Sequence, residues 1–215
     1  MMTRRFFTIA LLSAFLTLNA TGAIAKDFAK EAEGFVQTMA DKAMHSFRTI
    51  EDDAALQKEF RMILNDGFDV RAIGKWVLGR YWRKAKPAEK EEYLKLFEDF
   101  IIVTYANRFK DYSGKNITLK VTQSMAKNDK DAIVRSKIDR PTTSEPVIVD
   151  WRVKANKEGN LKVVDVLIAG VSMSQTQRSE FASVIKRNGG KVNGLIDALK
   201  NKTAQLIDSV DQATN

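Results

Sequence analysis

Cysteine is absent from the 215-residue sequence, histidine occurs once, at His45, and proline three times. Without a thiol there is no disulfide framework, thiolate nucleophile, iron–sulfur cluster or Cys-bound zinc. A single imidazole excludes histidine-rich metal sites and leaves Ser–His catalysis badly strained. The patterns G-x-G-x-x-G, the P-loop, G-x-S-x-G, H-E-x-x-H and the EF-hand loop are missing too, so no catalytic residue, metal site or cofactor is expected. Glycine and proline are too sparse for a collagen-like or low-complexity chain. A chain 44% hydrophobic and 29% charged, with no internal repeat, reads as one folded domain.

Long apolar runs are confined to the N-terminus. Arg4 and Arg5 precede a stretch from Phe6 to Leu18 broken only by Thr8, Ser13 and Thr17, and Ala23-Ile24-Ala25 stands before Lys26. A membrane span needs about 20 apolar residues, so residues 1–25 read as a secretory signal peptide and 26–215 as the mature domain. No cysteine follows to carry a lipid anchor, which makes the expected product a soluble periplasmic protein. Losing two Arg and no acid lowers the formal charge from +8 to +6. A basic exported protein has lipid headgroups, membrane surfaces or acidic protein faces as candidate partners, and not nucleic acid.

From Lys26 to about Tyr112 the apolar spacing is helical. Phe28, Phe35, Met39, Ala43 and Phe47 form one stripe, and Leu56, Phe60, Ile63 and Leu64 a second that ends at Asn65-Asp66-Gly67. Asp69 is placed to cap a short third helix with Val70, Ile73 and Val77 on one side, terminated by Gly79. Pro87 opens a fourth. In that helix the apolar arc from Tyr93 to Tyr105 covers roughly 200°, leaving Lys95, Glu98 and Asp99 around Ile102 for solvent. Such an arc fits a helix buried between two layers, or one with a flank lining an apolar cavity.

From Ile117 the period changes to two. Ile117, Leu119 and Val121, then Val134, Ser136 and Ile138, then Val147, Val149, Trp151 and Val153 occupy alternating positions. A fourth strand from Leu161 to Ile168 is apolar on both faces at its end. Turn residues at Asn128-Asp129, Pro141 to Pro146 and Asn156 to Asn160 predict consecutive antiparallel pairing. Ser174 and Gln177 have capping-box spacing, and two closing helices carry Phe181, Val184, Ile185 and then Leu195, Ile196, Leu199, Leu206. The expected class is α+β, with helices wrapped around a curved four-stranded antiparallel sheet.

Few residues invite a chemical role. His45 reads as a surface or satisfied histidine, and Glu98-Asp99 and Glu51-Asp52-Asp53 as solvated charge. Asp165, between Val164 and Val166, is either a hydrogen-bonded structural acid or the raised-pKa acid of a small-molecule enzyme. Leu78-Gly79-Arg80-Tyr81-Trp82 is either a helix stop with a stacked Arg80 or a pocket rim where Arg80 meets phosphate.

The order of Phe68-Asp69, Val77-Leu78-Gly79-Arg80-Tyr81-Trp82, Phe97, Tyr105, Tyr112-Ser113-Gly114, Val149-Asp150, Val163-Val164-Asp165-Val166, Gly170-Val171-Ser172, Arg178, Phe181 and Gly190 before Leu195-Ile196 resembles the MlaC family. These are periplasmic phospholipid-binding proteins, also described as toluene-tolerance auxiliary components. The resemblance runs from about Asp27 to Thr203. It departs at Trp151, where the family usually has Tyr, and at Leu161, where it commonly carries Trp. It implies a non-enzymatic carrier of phospholipid between an outer-membrane lipoprotein complex and an inner-membrane ABC transporter, maintaining outer-membrane lipid asymmetry. The acyl chains would lie in an apolar cavity between sheet and helices, with the headgroup near solvent. A similar subfamily accompanies hopanoid synthesis, so a hopanoid carrier is the alternative cargo reading. On this view Phe97, Phe100, Ile101, Tyr105 and Phe109 of the fourth helix would line the cavity. Val149, Trp151, Val166 and Ile168 would line it from the sheet, and Arg80 would stand at the headgroup rim.

Overall fold

The computed structural model describes residues 20–110, 117–139 and 145–213, with side chains placed for 27–105, 117–139 and 145–206. Six α-helices and one antiparallel sheet follow the order α1 (Ala20–Thr49), α2 (Asp53–Gly67), α3 (Val70–Leu78), a 3-10 turn (Gly79–Arg83), α4 (Pro87–Lys110), β1 (Thr118–Asn128), β2 (Asp131–Asp139), β3 (Val147–Ala155), β4 (Leu161–Ile168), β5 (Val171–Ser172), α5 (Met173–Arg187) and α6 (Val192–Ala213). Residues 1–19 of the expected signal peptide lie outside the described residues, as does most of the Pro141–Pro146 link.

Local chemistry accounts for the helix boundaries. Asp52 Oδ1 accepts the Ala55 N–H at the start of α2, and Asp69 Oδ1 the Ala72 N–H at the start of α3, each satisfying a donor that the first helical turn leaves unpaired. Gly79, at φ +56 and ψ −127, terminates α3 in a conformation that costs a side chain dearly. The cap of α5 differs from the capping-box expectation. Ser172 receives the Gln175 N–H, and Ser174 is turned aside to bond Asp165.

The four expected strands pair consecutively, and a fifth, two-residue strand adds to the edge of β4, giving the order β1-β2-β3-β4-β5. Ile117 falls just before β1 rather than within it. Across one face, Val134, Trp151 and Val166 form a row, Ser136, Val149 and Ile168 the next, and Ala132, Val153 and Val163 a third. The register shifts in β4 between Val163 and Asp165, so Val164 is a bulge residue. The free edge of β4 is occupied by Phe68, bridged in parallel to Val163, with the Asp69 N–H donating to the Val163 carbonyl at 3.1 Å. An occupied edge does not recruit a stray strand.

Two clusters of buried side chains have no residue in common, and Phe47, Leu56, Ile63, Leu64, Ile102 and Val103 are buried outside both. One joins Val77, Leu78 and Tyr81 to Tyr93 and Phe97 of α4, Phe181 and Ile185 of α5, and Leu195, Ile196 and Leu199 of α6. The other joins Phe28, Ala32 and Val36 of α1 to Ala132, Val134, Val153 and Val163 of the sheet. Between α3 and α4, Gly74 leaves room for the Leu94 and Phe97 side chains, and its carbonyl accepts the buried Tyr93 hydroxyl at 2.9 Å.

The polar arc of α4 faces solvent only in part: Lys95 is exposed as expected, but Glu98 and Asp99 are engaged by another helix. Arg61 of α2 reaches across to Glu98 at 2.8 Å and Asp99 at 2.7 Å, and Ile102 is 1% exposed. The Glu98-Asp99 pair therefore clamps a neighbouring helix instead of standing in water.

Candidate functional site

The sheet contributes four of the nine expected lining residues, Val149, Trp151, Val166 and Ile168. Trp151 lies between Val134 and Val166, and its indole Nε1–H donates to the Ser136 hydroxyl at 2.9 Å. Ser136 is fully buried; its Oγ also lies 3.4 Å from the Val149 carbonyl. An indole N–H out of water needs such an acceptor. Ser136 thus fixes the ring against the sheet, a role that its inward place in the β2 alternation alone does not reveal. Val149 is 3% exposed, whereas Ile168, at the end of β4, is 37% exposed.

On α4, Phe97 is 2% exposed and stacks edge-on with Phe181, their centroids 6.2 Å apart. Phe100 and Ile101 are half-buried at the border of the helical cluster, and Tyr105 is half-buried one turn further on. The side chain of Phe109 lies outside the described residues. The structure brings Phe97, Phe100 and Ile101 into one cluster, and Trp151 and Val166 into the other. Large apolar groups are thereby left half-exposed on both sides of the divide: Phe100, Ile101 and Tyr105 on one, Trp151 and Val166 on the other.

Asp165 is held by groups that suit a structural acid. Its carboxylate accepts the Ser172 hydroxyl at 2.6 Å, the Ser174 hydroxyl at 2.7 Å, and the backbone N–H groups of Ser174 and Val166. It ties β4 to the start of α5. His45 is exposed on α1, and no group of three metal-binding side chains occurs among the described residues.

Two surface clefts stand out. One, of about 540 Å³, is polar, lies between α2, α3, α4 and β4, and is spanned by the Arg71–Glu91 ion pair. The other, of about 580 Å³, is walled by Trp76, Trp82, Arg80, Arg83 and Arg178. Arg80 stacks on the Tyr81 ring at 5.0 Å and donates to its hydroxyl at 3.1 Å, so it is both a stacked helix-end residue and a cleft wall. None of the eight expected lining residues whose side chains are described borders either cleft. The signal that could have found the second cleft was the pairing of Trp76 with Trp82 in a stretch rich in basic residues.

Comparison with known proteins agrees with this architecture. A phospholipid-binding protein from Ralstonia solanacearum, solved in complex with a phospholipid, superimposes with a TM-score of 0.71 at 30% identity, covering 82% of this chain and 98% of that one. The intermembrane phospholipid transport system binding protein MlaC of Haemophilus influenzae is 24% identical over 95% of both chains. The toluene tolerance protein ttg2D of Pseudomonas putida is 26% identical over 70% of this chain and 69% of its own. The MlaC protein family matches residues 35–201, well over half of the sequence, and the chain therefore belongs to that family.

Proposed function

We propose that this protein is a phospholipid carrier of the periplasm, exported by its N-terminal signal and moving lipid between an outer-membrane lipoprotein complex and an inner-membrane ABC transporter. The observation that carries the reading is the likeness, at 30% identity and over nearly the whole of the other chain, to a structure that holds a phospholipid. The names of the Haemophilus and Pseudomonas relatives point the same way.

The physical demand on a carrier is large. At about 0.8 kcal/mol per CH₂, two acyl chains of some 15 carbons carry on the order of 20 kcal/mol of unfavourable apolar hydration out of a bilayer. A carrier must cover that surface. The divided interior supports a place for it, because a chain of methylenes lying between the two clusters would cover Phe100, Ile101 and Tyr105 of α4 on one side and Trp151 and Val166 of the sheet on the other. Phe97 and Val149, already buried, would back those walls. The hydrogen bonds that surround Asp165 support a non-enzymatic reading, since they leave its carboxylate occupied in holding α5.

The test is lipid extraction and mass spectrometry of the natively purified protein. About one phospholipid per chain supports the proposal; an empty protein that takes up no lipid from donor vesicles overturns it. A hopanoid in the spectrum would replace phospholipid as the cargo. Ile101→Trp is expected to lower lipid loading more than thermal stability, because the half-buried side has room to accept an indole only where lipid would lie. A large loss of stability at unchanged loading would move Ile101 into solid core.

A further inference from the structure

The cleft bounded by α3, the 3-10 turn and α5 has a chemistry that the cargo does not explain. Between Asp69 and Glu89 the sequence holds Arg71, Lys75, Arg80, Arg83, Lys84 and Lys86 and no acid. Four cations border the cleft itself, Lys75, Arg80, Arg83 and Arg178, and none of them has a carboxylate partner among the described residues. Elsewhere Arg61, Arg71, Arg135 and Arg152 are each paired with an acid within 3 Å, whereas here four cations gather at one cleft without one. A basic group left without an acid in a protein of mixed charge is available to an outside anion.

The cations share the cleft with two indoles. Trp76 is 43% exposed, and the Arg178 guanidinium lies 4.7 Å from its ring centroid. Trp82 is flanked by the Lys75 ammonium at 5.8 Å and the Lys90 ammonium at 5.5 Å. The glycine at 79 makes the arrangement possible, since a Cβ there would stand 2.9 Å from the Arg178 Nη2. Arg178 is thus pressed between Gly79 and Trp76. It is pre-positioned, and its N–H groups make no hydrogen bond among the described residues, the condition under which a guanidinium takes a phosphate oxygen with little further ordering.

We propose that this cleft is a membrane-docking face that seats on an anionic bilayer surface, with lipid phosphates between Arg80, Arg83 and Arg178 and the indoles of Trp76 and Trp82 at headgroup depth. Indole rings beside lysine and arginine at one level are the combination that suits the interface between water and acyl chains. An acidic protein patch would satisfy the cations, yet it gives no reason for two partly exposed indoles in the same wall. The proposal stands apart from the cargo reading, because a docking face is needed whether or not the protein already holds lipid.

The experiment is co-sedimentation of the purified full chain with phosphatidylglycerol-containing vesicles and with pure phosphatidylcholine vesicles, at low and high salt. Lipid content is followed in parallel by native mass spectrometry. Binding is expected to the anionic vesicles only and to fall as salt screens the charges. Arg83→Gln and Arg178→Gln are each expected to weaken it about fivefold, in line with the worth of one basic residue at a membrane surface. Trp76→Ala is expected to weaken it while leaving the lipid content unchanged. Failure of the unaltered protein to bind protein-free anionic vesicles would overturn the proposal, as would equal binding by these variants or loss of bound lipid in them. An empty but vesicle-binding protein would overturn the cargo reading and leave this one standing.

Discussion

Asp165 shows how much one inserted residue can decide. Strict alternation along β4 would turn it to the same side as Val163, among the apolar residues packed against α1. The bulge at Val164 reverses it, so that Asp165 pairs with Arg152 and Val166 takes the inward position beside Trp151. Its carboxylate then gathers four donors from β4 and the start of α5. Asp165→Ala is expected to lower the unfolding free energy by about 2–3 kcal/mol in a urea titration, the scale of losing hydrogen bonds to a charged group. Lipid content should not change. The structural and catalytic readings of this acid could not be separated in the sequence, because a valine in a bulge looks like any other strand valine. What the sequence did carry was the anomaly of an acid flanked by β-branched residues.

Individual elements were the most legible level. The Asp69 cap, the start of α4 at Pro87 and the stop at Gly79 are local events, written in the few residues that make them. Gly79→Ala is expected to cost roughly 1–3 kcal/mol by thermal unfolding, since it combines backbone strain at φ +56 with a collision against the Arg178 guanidinium. A free Arg178→Ala background should recover part of that loss by removing the collision alone. The helical wheel of α4 was less informative. Its broad apolar arc identified a central helix, but a wheel assigns every polar residue to water. Arg61 on α2, distant in sequence, turned Glu98 and Asp99 into an inter-helix clamp over a buried Ile102. Tertiary pairing of this sort leaves no periodic trace. The same limit applies to the proposed lining: period and apolarity put Phe100, Ile101, Trp151 and Val166 among its candidates, but did not give the side of the divided interior on which each would sit.

At the scale of the molecule, the two apolar bodies carry opposite pH sensitivities. In the sheet, the hydrogen bonds and charge of Arg135 hold the Asp150 carboxyl below the usual carboxylate range. Burial would push Asp131 up, but the hydrogen bonds and charges of Arg152 and Lys154 together hold it down. Both groups therefore contribute stability above about pH 4, the unfolded aspartate value, and lose it as the pH falls through their lower folded values. In the helical body, burial pushes the Tyr93 phenol far up, so its contribution is whole below about pH 10 and erodes as the pH rises beyond that. Acid is expected to release amide protection first in β2 and β3, and alkali first in α3 and α4, in hydrogen-exchange measurements. Simultaneous release of both bodies at each extreme would contradict this division.

Besides α2, which packs against both α1 and α4 and buries Leu56, Ile63 and Leu64, a seam of polar links along β4 joins the two bodies: the Asp69 N–H to Val163, the Lys162 ammonium on the Asn65 and Asp66 carbonyls, and the Asp165 cluster. Such links are directional and few, and they transmit cooperativity less completely than a continuous core. A scanning calorimeter should register this as a heat-absorption peak broader than its area warrants, with the van't Hoff enthalpy below the calorimetric one. A hydrocarbon guest that bridges the seam should sharpen the peak toward a single all-or-none transition.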